Sequence, residues 1–324
     1  MKRWLTTILV VVVTASLLGY ALWHVNLAAL GRVLAGADYR YALPFLLTLT
    51  VFFWIKAWRW SLILEPLGRY SVAQVTPAMM IGFAANNVLP AHLGEIVRSL
   101  WFARRYELRV SAVLVSQVLE RILDVAAILL LYLLAVPWIE SAQPAIRYSV
   151  WVVGGLAAAM AVTIYCMLSA PQLLFRLWRI LSGSLPEWLQ SRGETLLGDV
   201  LQALSSVRSP ARSLVLLANS LVQWSLMGMC LWMSTAAMGV HIGPAVTIIV
   251  LTATVVAVTL PNAPGYVGAL QAAFVFALQP FGVASESAFA ASVFYLVGNW
   301  VPITAVGGLF LLASRARGGV APRP

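Results

Sequence analysis

Residues 117–124 read QVLERILD and lie inside an apolar run that extends from Val110 to Val136. That run is long enough to span a bilayer, which takes about 20 apolar residues. Ionisable groups at this depth cost at least ~2.5–3.5 kcal/mol each on insertion scales, so they are rare. The polar side chains fall at i, i+3, i+4 and i+7, on one helix face. They are Gln117, Glu120, Arg121 and Asp124. The pattern predicts a transmembrane helix whose polar stripe faces a polar path.

The whole chain has the composition of a polytopic membrane protein. Its 324 residues are 61% hydrophobic and 10% charged, whereas a soluble domain carries about 25% charged residues. Lys plus Arg outnumber Asp plus Glu by 21 to 11, an excess that membrane proteins place in cytoplasmic loops, so it does not imply a nucleic-acid partner. We therefore expect one integral-membrane domain over residues 1–324.

Six apolar segments are long enough to cross a bilayer, and two are shorter. The six are residues 4–23, 43–64, 111–136, 149–169, 213–237 and 289–313. The shorter ones, residues 75–90 and 244–260, each run into a Pro/Gly break and a second short helical piece. Broken or re-entrant helices have this pattern. We predict an all-α fold with six full spans and two re-entrant hairpins; the alternative is eight spans.

Loop charge favours the six-span arrangement, because cytoplasmic loops are enriched in Lys and Arg. Six spans put the basic clusters at 98–109 and 170–212 on the side of both termini, whereas eight spans export them. We expect a multi-pass protein of the bacterial inner membrane with both termini in the cytoplasm. The segment 170–212 mixes Trp, Arg and apolar residues, and we interpret it as a cytoplasmic interfacial linker.

The two broken segments resemble each other. Each has Leu-Pro, a glycine a few residues later, a short helix, a polar turn and a long span with polar residues midway. In the six-span topology the first break enters from the cytoplasm and the second from outside. This predicts an inverted repeat of residues 43–136 and 213–313. Transporters built in this way hold their substrate near the midplane, at the breaks.

The first break supplies several candidate residues. Those for a lipid path are Asn86, Asn87, Glu95 and Arg98, and those that break the helix are Pro90 and Gly94. Pro90 removes a backbone donor, Gly94 permits a close turn, and the amides can satisfy freed backbone groups. Glu95 and Arg98, at i and i+3, can pair. A helix N-terminus near Leu93 would favour an anion such as phosphate. The alternative is a break that is only structurally satisfied.

Five charged residues lie on two of the predicted spans. Arg121 can pair with Glu120 or Asp124 and simply hold helices together. These three residues lie about 13–20 Å along the helix, near the middle of the membrane, and that depth instead favours a polar pathway. Lys56 and Arg59 lie near the cytoplasmic end of their span, where they can snorkel or contact lipid phosphates; both readings stay open.

The second break carries no charge. It offers Asn262, Tyr266 and Gln271 to a lipid path, and Pro261, Pro264 and Gly265 as break-forming residues. An ordinary external loop within apolar sequence would not need so many residues that restrict or widen the backbone angles. The three histidines are scattered and no nucleotide-binding or nucleophile motif occurs, so we predict no metal, no cofactor and no catalytic residue.

Three motifs together resemble a known family. NNVLPAHLGEIVR at 86–98, SQVLERILD at 116–124 and LPNAPGYVGALQAAF at 260–274 are similar, in order, to those of the lysylphosphatidylglycerol synthase transmembrane-region family of flippase-like proteins. The resemblance covers roughly residues 40–313. It implies a module that moves aminoacylated phosphatidylglycerol between leaflets, and that the charged residues of the first two motifs line the lipid path. We expect this chain to lack the soluble aminoacyltransferase domain of the bifunctional members.

We therefore expect a lipid flippase whose partners are membrane lipids. Aminoacyl-phosphatidylglycerol, hopanoid and polyprenyl-linked lipids all remain open as substrates, since family members are associated with each. One alternative is an integral-membrane enzyme that acts on a lipid-linked substrate, with Glu95 or Asp124 as general base. Another is a non-catalytic partner of a lipid-synthesis complex. A homo-oligomer is compatible with all of these.

Overall fold

The computed structural model describes residues 26–89, 92–139, 186–207, 209–259 and 264–316, with isolated residues between 151 and 183. Within this part of the chain every regular element is helical and no strand occurs, which confirms the all-α membrane fold. The predicted span at 4–23 lies outside the described residues. Most of the predicted span at 149–169 and the first half of the 170–212 linker do so as well.

Ten α-helices are described over their whole length. They are α1 Leu27–Ala35, α2 Ala42–Ile63, α3 Val72–Val88, α4 Leu93–Tyr106, α5 Val110–Ala135, α6 Glu187–Leu204, α7 Pro210–Ala237, α8 Pro244–Thr259, α9 Ala269–Leu278 and α10 Ser285–Ala316.

Three segments of the described chain are long and apolar enough to cross a membrane. They are Tyr39–Ile63, Pro210–Ala237 and Ser285–Ser314, which contain α2, α7 and most of α10. Helix α5 has 26 residues, about 39 Å at 1.5 Å per residue, and is also longer than a ~30 Å hydrocarbon core. It differs from the other three because the charges of the QVLERILD stripe interrupt its apolar surface.

The shorter helices come in two pairs, each separated by a break. Helix α3 has 17 residues and is followed by Leu89, whose backbone is extended. Helix α4 has 14 residues and is preceded by His92, whose backbone is left-handed with φ 55°. Helix α8 has 16 residues, and α9 has 10 and follows Gly268 with φ 89°. The breaks therefore occur where the sequence predicts them. Pro90 and Pro261 lie outside the described residues.

The same order of elements occurs twice, in α2–α5 and in α7–α10. Each group has a long helix, two short helices with a break between them, and a second long helix. The groups also exchange packing partners: α3 lies on α10, α8 lies on α5, and α2 and α7 pack on each other. Two repeats related by a two-fold axis produce this reciprocal pattern. Their orientation in a membrane stays a prediction.

Helix α6 closes one end of the bundle. It packs on α5 through a small apolar cluster that includes Leu119, Leu204 and Leu216. Its buried Asp199 lies 2.5 Å from Arg109, at the start of α5. The second half of the predicted linker is thus a helix attached to the stripe-bearing span.

Candidate functional site

Five charged side chains from three helices meet inside the bundle, and we call them the buried cluster. They are Lys56 and Arg59 of α2, Arg98 of α4, and Glu120 and Asp124 of α5. All five side chains are between 0% and 6% exposed. The cluster joins the first span, the second half of the broken helix and the stripe of α5.

Asp124 is the most densely bonded member. Its Oδ1 accepts hydrogen bonds from Arg59 Nη2 at 2.7 Å and from Trp224 Nε1 at 3.0 Å. Its Oδ2 accepts one from Lys56 Nζ at 3.3 Å. Since the donors come from α2 and α7, this carboxylate ties the two groups of helices together.

Glu120 binds the same cations and adds a third. Lys56 Nζ lies 2.9 Å and Arg59 Nη2 lies 3.5 Å from its Oε1, while Arg98 Nη2 donates to its Oε2 at 2.9 Å. Glu120 is therefore the only member of the cluster that contacts cations from both α2 and α4. It links the broken helix to the first span.

Aromatic rings surround the cations. The guanidinium carbon of Arg98 lies 3.6 Å from the centroid of the Trp60 ring, and Lys56 Nζ lies 5.7 Å from the Phe52 centroid and 5.8 Å from that of Phe83. The negative faces of aromatic rings stabilise cations, more so where water is excluded. The Trp60 indole is itself held, because its Nε1 donates to Ser116 Oγ at 3.1 Å.

Two glycines bring Arg98 to α5. A Cβ on Gly94 would overlap the backbone oxygen of Gly82 and atoms of Asn86, so α3 and α4 cross at backbone contact. Asn86 Oδ1 accepts a hydrogen bond from the Gly94 backbone N–H at 2.7 Å, which satisfies an otherwise free donor in the first turn of α4. Arg98 lies one turn further along, on the face that meets Glu120.

A second ion pair lies at the edge of the buried cluster, and we call it the rim pair. Arg121 Nη2 is 2.5 Å and Nε 3.1 Å from Glu95 Oε1, and these side chains are 49% and 32% exposed. Gln117 lies between rim and cluster: its Nε2 donates to the Glu95 carbonyl oxygen at 3.2 Å and to Ser99 Oγ.

These contacts correct three predicted interactions. Glu95 and Arg98 do not pair with each other, because the packing of α4 on α5 offers each a partner across the interface. Arg121 likewise pairs with Glu95 rather than with its neighbours on α5. Lys56 and Arg59 neither snorkel nor reach a lipid surface, because both acids of the buried cluster hold them inside.

The second break meets the first break, not the buried cluster. Tyr266, left-handed with φ 60°, has its ring 5.9 Å from that of His92. Asn87 Nδ2 donates to Thr304 Oγ1 at 2.9 Å, and Trp300 Nε1 donates to the Asn87 carbonyl oxygen at 3.3 Å. Asn87 therefore fixes α3 to α10.

The remaining predicted residues of the second break have structural surroundings. Gln271 Oε1 accepts a hydrogen bond from the Gly268 backbone N–H at 2.7 Å, so this buried side chain caps α9. Gly265 has φ 75°, and Pro264 begins the short 3₁₀ turn that contains it. Asn262 lies outside the described residues.

A polar face on α7 completes the surroundings of the buried cluster, and sequence reasoning missed it. Ser220 Oγ accepts a hydrogen bond from Arg59 Nη1 at 2.6 Å, and Trp224 binds Asp124. Buried Gln223 donates to Asn219 one turn away. These residues fall at i, i+1, i+4 and i+5 in ANSLVQWS at 218–225, which is the spacing of one helix face and could have revealed them.

The arrangement suits binding of a polar group better than coordination of a metal. Both acids of the cluster are surrounded by Lys and Arg, which would repel a metal cation. In the described part of the chain, no three residues among His, Cys, Asp and Glu come together as metal ligands.

Comparison with known proteins identifies the family of the chain. No curated protein matches the chain. The family model for the lysylphosphatidylglycerol synthase TM region matches residues 7–307, which include every residue of the buried cluster, the rim pair and both breaks. The chain therefore belongs to the lysylphosphatidylglycerol synthase transmembrane-region family and is a membrane protein linked to lipid metabolism.

Proposed function

We propose that this protein is a flippase-type lipid transporter, which moves the polar headgroup of a membrane lipid between leaflets while the acyl chains stay in the bilayer. The observation that carries the proposal is the buried cluster at mid-height of α5. Glu120 and Asp124 lie about 15 and 21 Å from the start of a helix about 39 Å long. A headgroup that crosses the hydrocarbon core needs polar partners at that depth.

The energetics of the buried cluster support a functional role. Buried ion pairs are weak stabilisers, and well-packed apolar residues of similar volume often serve a fold equally well or better. Five ionisable side chains within one bundle are therefore a costly way to hold helices together. Intramembrane ionisable residues are more often part of a substrate or ion path.

The two groups of helices support transport by alternating access. Their repeated order and exchanged packing partners fit two inverted repeats, which rock or gate against each other in many secondary transporters. The breaks fit as well, since discontinuous helices border the substrate site in such proteins. In this proposal residues 43–136 and 213–313 are the repeats of a six-span protein.

The hydrogen bonding of the acids favours transport over chemistry. A general base needs a free lone pair within reach of the proton that it removes. Asp124 accepts from Arg59, Lys56 and Trp224, and Glu120 is surrounded by three cations. Glu95, the other candidate base, is paired with Arg121. In the proposed function these acids hold the cations that bind a headgroup.

We further propose that the protein lies in the bacterial inner membrane with both termini in the cytoplasm. The side that carries α6 holds the contacts of Arg109 with Asp199 and of Arg212 with Glu65. Basic residues at membrane boundaries mark the cytoplasmic face.

Reconstitution tests the proposal. Purified protein in liposomes with fluorescent phospholipids should accelerate dithionite-accessible transbilayer movement above that of protein-free liposomes. Asp124→Asn should remove most of this acceleration, since it leaves Lys56 and Arg59 with Glu120 as their only charged partner in the cluster. Arg104→Gln, on the exposed side of α4, should leave the acceleration unchanged. Thermal unfolding of each variant checks that it is folded.

Two results would contradict the proposal. The first is no movement above the protein-free rate for any headgroup tested. The second is full movement in folded Glu120→Gln and Asp124→Asn variants, which would show that the buried cluster is not part of the lipid path. Chemical alteration of the added lipid, detected by mass spectrometry, would instead support the enzyme alternative.

A further inference from the structure

The buried cluster contains one more positive charge than negative. Lys56, Arg59 and Arg98 are its cations, and Glu120 and Asp124 are its only acids. The rim pair adds one charge of each sign and leaves this excess unchanged. An uncompensated charge is expensive in an interior of low dielectric constant, so a bound anion would stabilise a site of this kind.

Free donors lie on the two arginines of the cluster. Arg59 Nε and Arg98 Nε are fully buried, and neither has a hydrogen-bond acceptor among the described residues. Both guanidinium groups contact the same carboxylate, Glu120, through Nη2. Two buried guanidinium N–H groups, on arginines that share the Glu120 carboxylate, suit the oxygens of a phosphate, whose geometry matches the donor fork of arginine.

The two acids of the buried cluster, by contrast, are both held by protein donors. Asp124 accepts from three donors, and both oxygens of Glu120 lie against cations. At the rim, Glu95 Oε1 receives two bonds from Arg121. Inside the buried cluster, an ammonium group on a headgroup would meet cations and would have to displace one of them to reach Glu120 or Asp124.

We infer that the transported lipid is anionic, with a phosphate headgroup that bears no cation, and that the cluster discriminates against aminoacylated and other cationic headgroups. This inference rests on the proposed function and names the substrate class of its site. The phosphate oxygens accept from Arg59 and Arg98, and the single negative charge of a phosphodiester balances the cluster.

A wild-type binding experiment tests the inference without relying on transport. Short-chain phosphatidylglycerol, phosphatidylethanolamine, lysyl-phosphatidylglycerol and a polyprenyl phosphate are added to the detergent-solubilised protein, and thermal unfolding is recorded. Bound ligand raises the unfolding midpoint with its affinity. We expect the anionic lipids to bind at least about tenfold more tightly than lysyl-phosphatidylglycerol, a difference of about 1.4 kcal/mol.

The same headgroups in the liposome assay separate the two proposals. Movement of phosphatidylglycerol with little movement of its lysyl ester supports both. Equal movement of all headgroups, or faster movement of the lysyl ester, overturns the inference and leaves the transport function intact. If nothing moves, the proposed function fails, and the binding series still decides whether the cluster is an anion site.

Charge variants sharpen the test and separate the phosphate sources. Arg98→Gln makes the cluster neutral and should abolish the preference for anionic lipids. Glu120→Gln raises the excess to two charges and should shift binding from the phosphodiester towards the polyprenyl phosphate, since a phosphomonoester carries about −1.5 to −2 at neutral pH. Arg104→Gln makes the same charge change as Arg98→Gln at an exposed site of α4 and should behave as wild type.

Unchanged headgroup preference in folded Arg98→Gln would overturn the inference. If either cluster variant fails to fold, the wild-type comparison of phosphatidylglycerol with its lysyl ester decides alone.

Discussion

The two groups of helices share an order of elements but not a chemistry. Helices α2–α5 contain the buried cluster and the rim pair, whereas no Lys, Arg, Asp or Glu occurs between residues 213 and 285. In the middle of α10, Asn299 donates to the Tyr295 carbonyl oxygen of its own helix, and Trp300 binds the backbone of Asn87. Apolar packing and helix breaks therefore build the scaffold of both groups, while the charges of the buried cluster and the rim pair come from α2–α5 alone.

The largest expected difference between the groups is the cost of removing a polar side chain from the middle of a long helix. Asp124→Ala leaves Lys56 and Arg59 with one acid between them, and breaking a buried pair in this way costs about 3–5 kcal/mol of unfolding free energy. Asn299→Ala, the matched change in α10, removes one hydrogen bond within a helix and should cost about 1 kcal/mol. Denaturant unfolding in detergent measures both. Equal losses would show that the charged group has no special place in the fold.

A smaller effect should separate a close helix crossing from an open helix surface. Gly94→Ala puts a methyl group against the backbone of Gly82, which cannot move aside as a side chain can. Overpacking of this kind costs about 1–3 kcal/mol. Gly308→Ala, in α10, meets no atom within 4 Å and should gain up to about 1 kcal/mol because alanine favours helix. Thermal unfolding compares them, and a neutral Gly94→Ala would contradict the close crossing of α3 and α4.

The smallest effect on stability should come from the rim pair. Arg121 and Glu95 are 49% and 32% exposed, and an ion pair that water reaches, as it would in the proposed polar path, contributes about 0–1 kcal/mol. Glu95→Gln should therefore leave the unfolding midpoint nearly unchanged, whereas Glu120→Gln, in the buried cluster, should lower it. Unfolding at low and high salt provides the measurement. A loss as large as that of Glu120→Gln would show that rim and cluster form one unit.

The positions of the helices and breaks could be predicted from the sequence, but the partners of the charged side chains could not. Polar spacing in QVLERILD correctly put Glu120 and Asp124 on one face of a long helix, and Pro/Gly punctuation located both breaks. The i, i+3 spacing of Glu95 and Arg98 made a local pair possible, but contact with α5 gave each a partner across helices. Such contacts depend on the crossing at Gly94, which no single-helix pattern contains.

Burial was the other quantity that position along a span could not reveal. Lys56 and Arg59 lie near a helix end, where long cations commonly snorkel, but their contacts with the acids of α5 keep them inside. The polar face of α7 was missed because its residues carry no charge. Ser220 and Trp224 are uncharged, so they do not stand out in an apolar span until Arg59 and Asp124 are seen to bind them.

The contact between the two breaks has a mechanical consequence. His92 and Tyr266 each hold a left-handed backbone, one in each break, and their rings lie 5.9 Å apart. Because the direction of a side chain follows its backbone angles, rotation of either backbone out of this conformation would move its ring relative to the other. The two breaks thus touch through a pair of rings, and a change of backbone conformation at one break would reach the other through this contact.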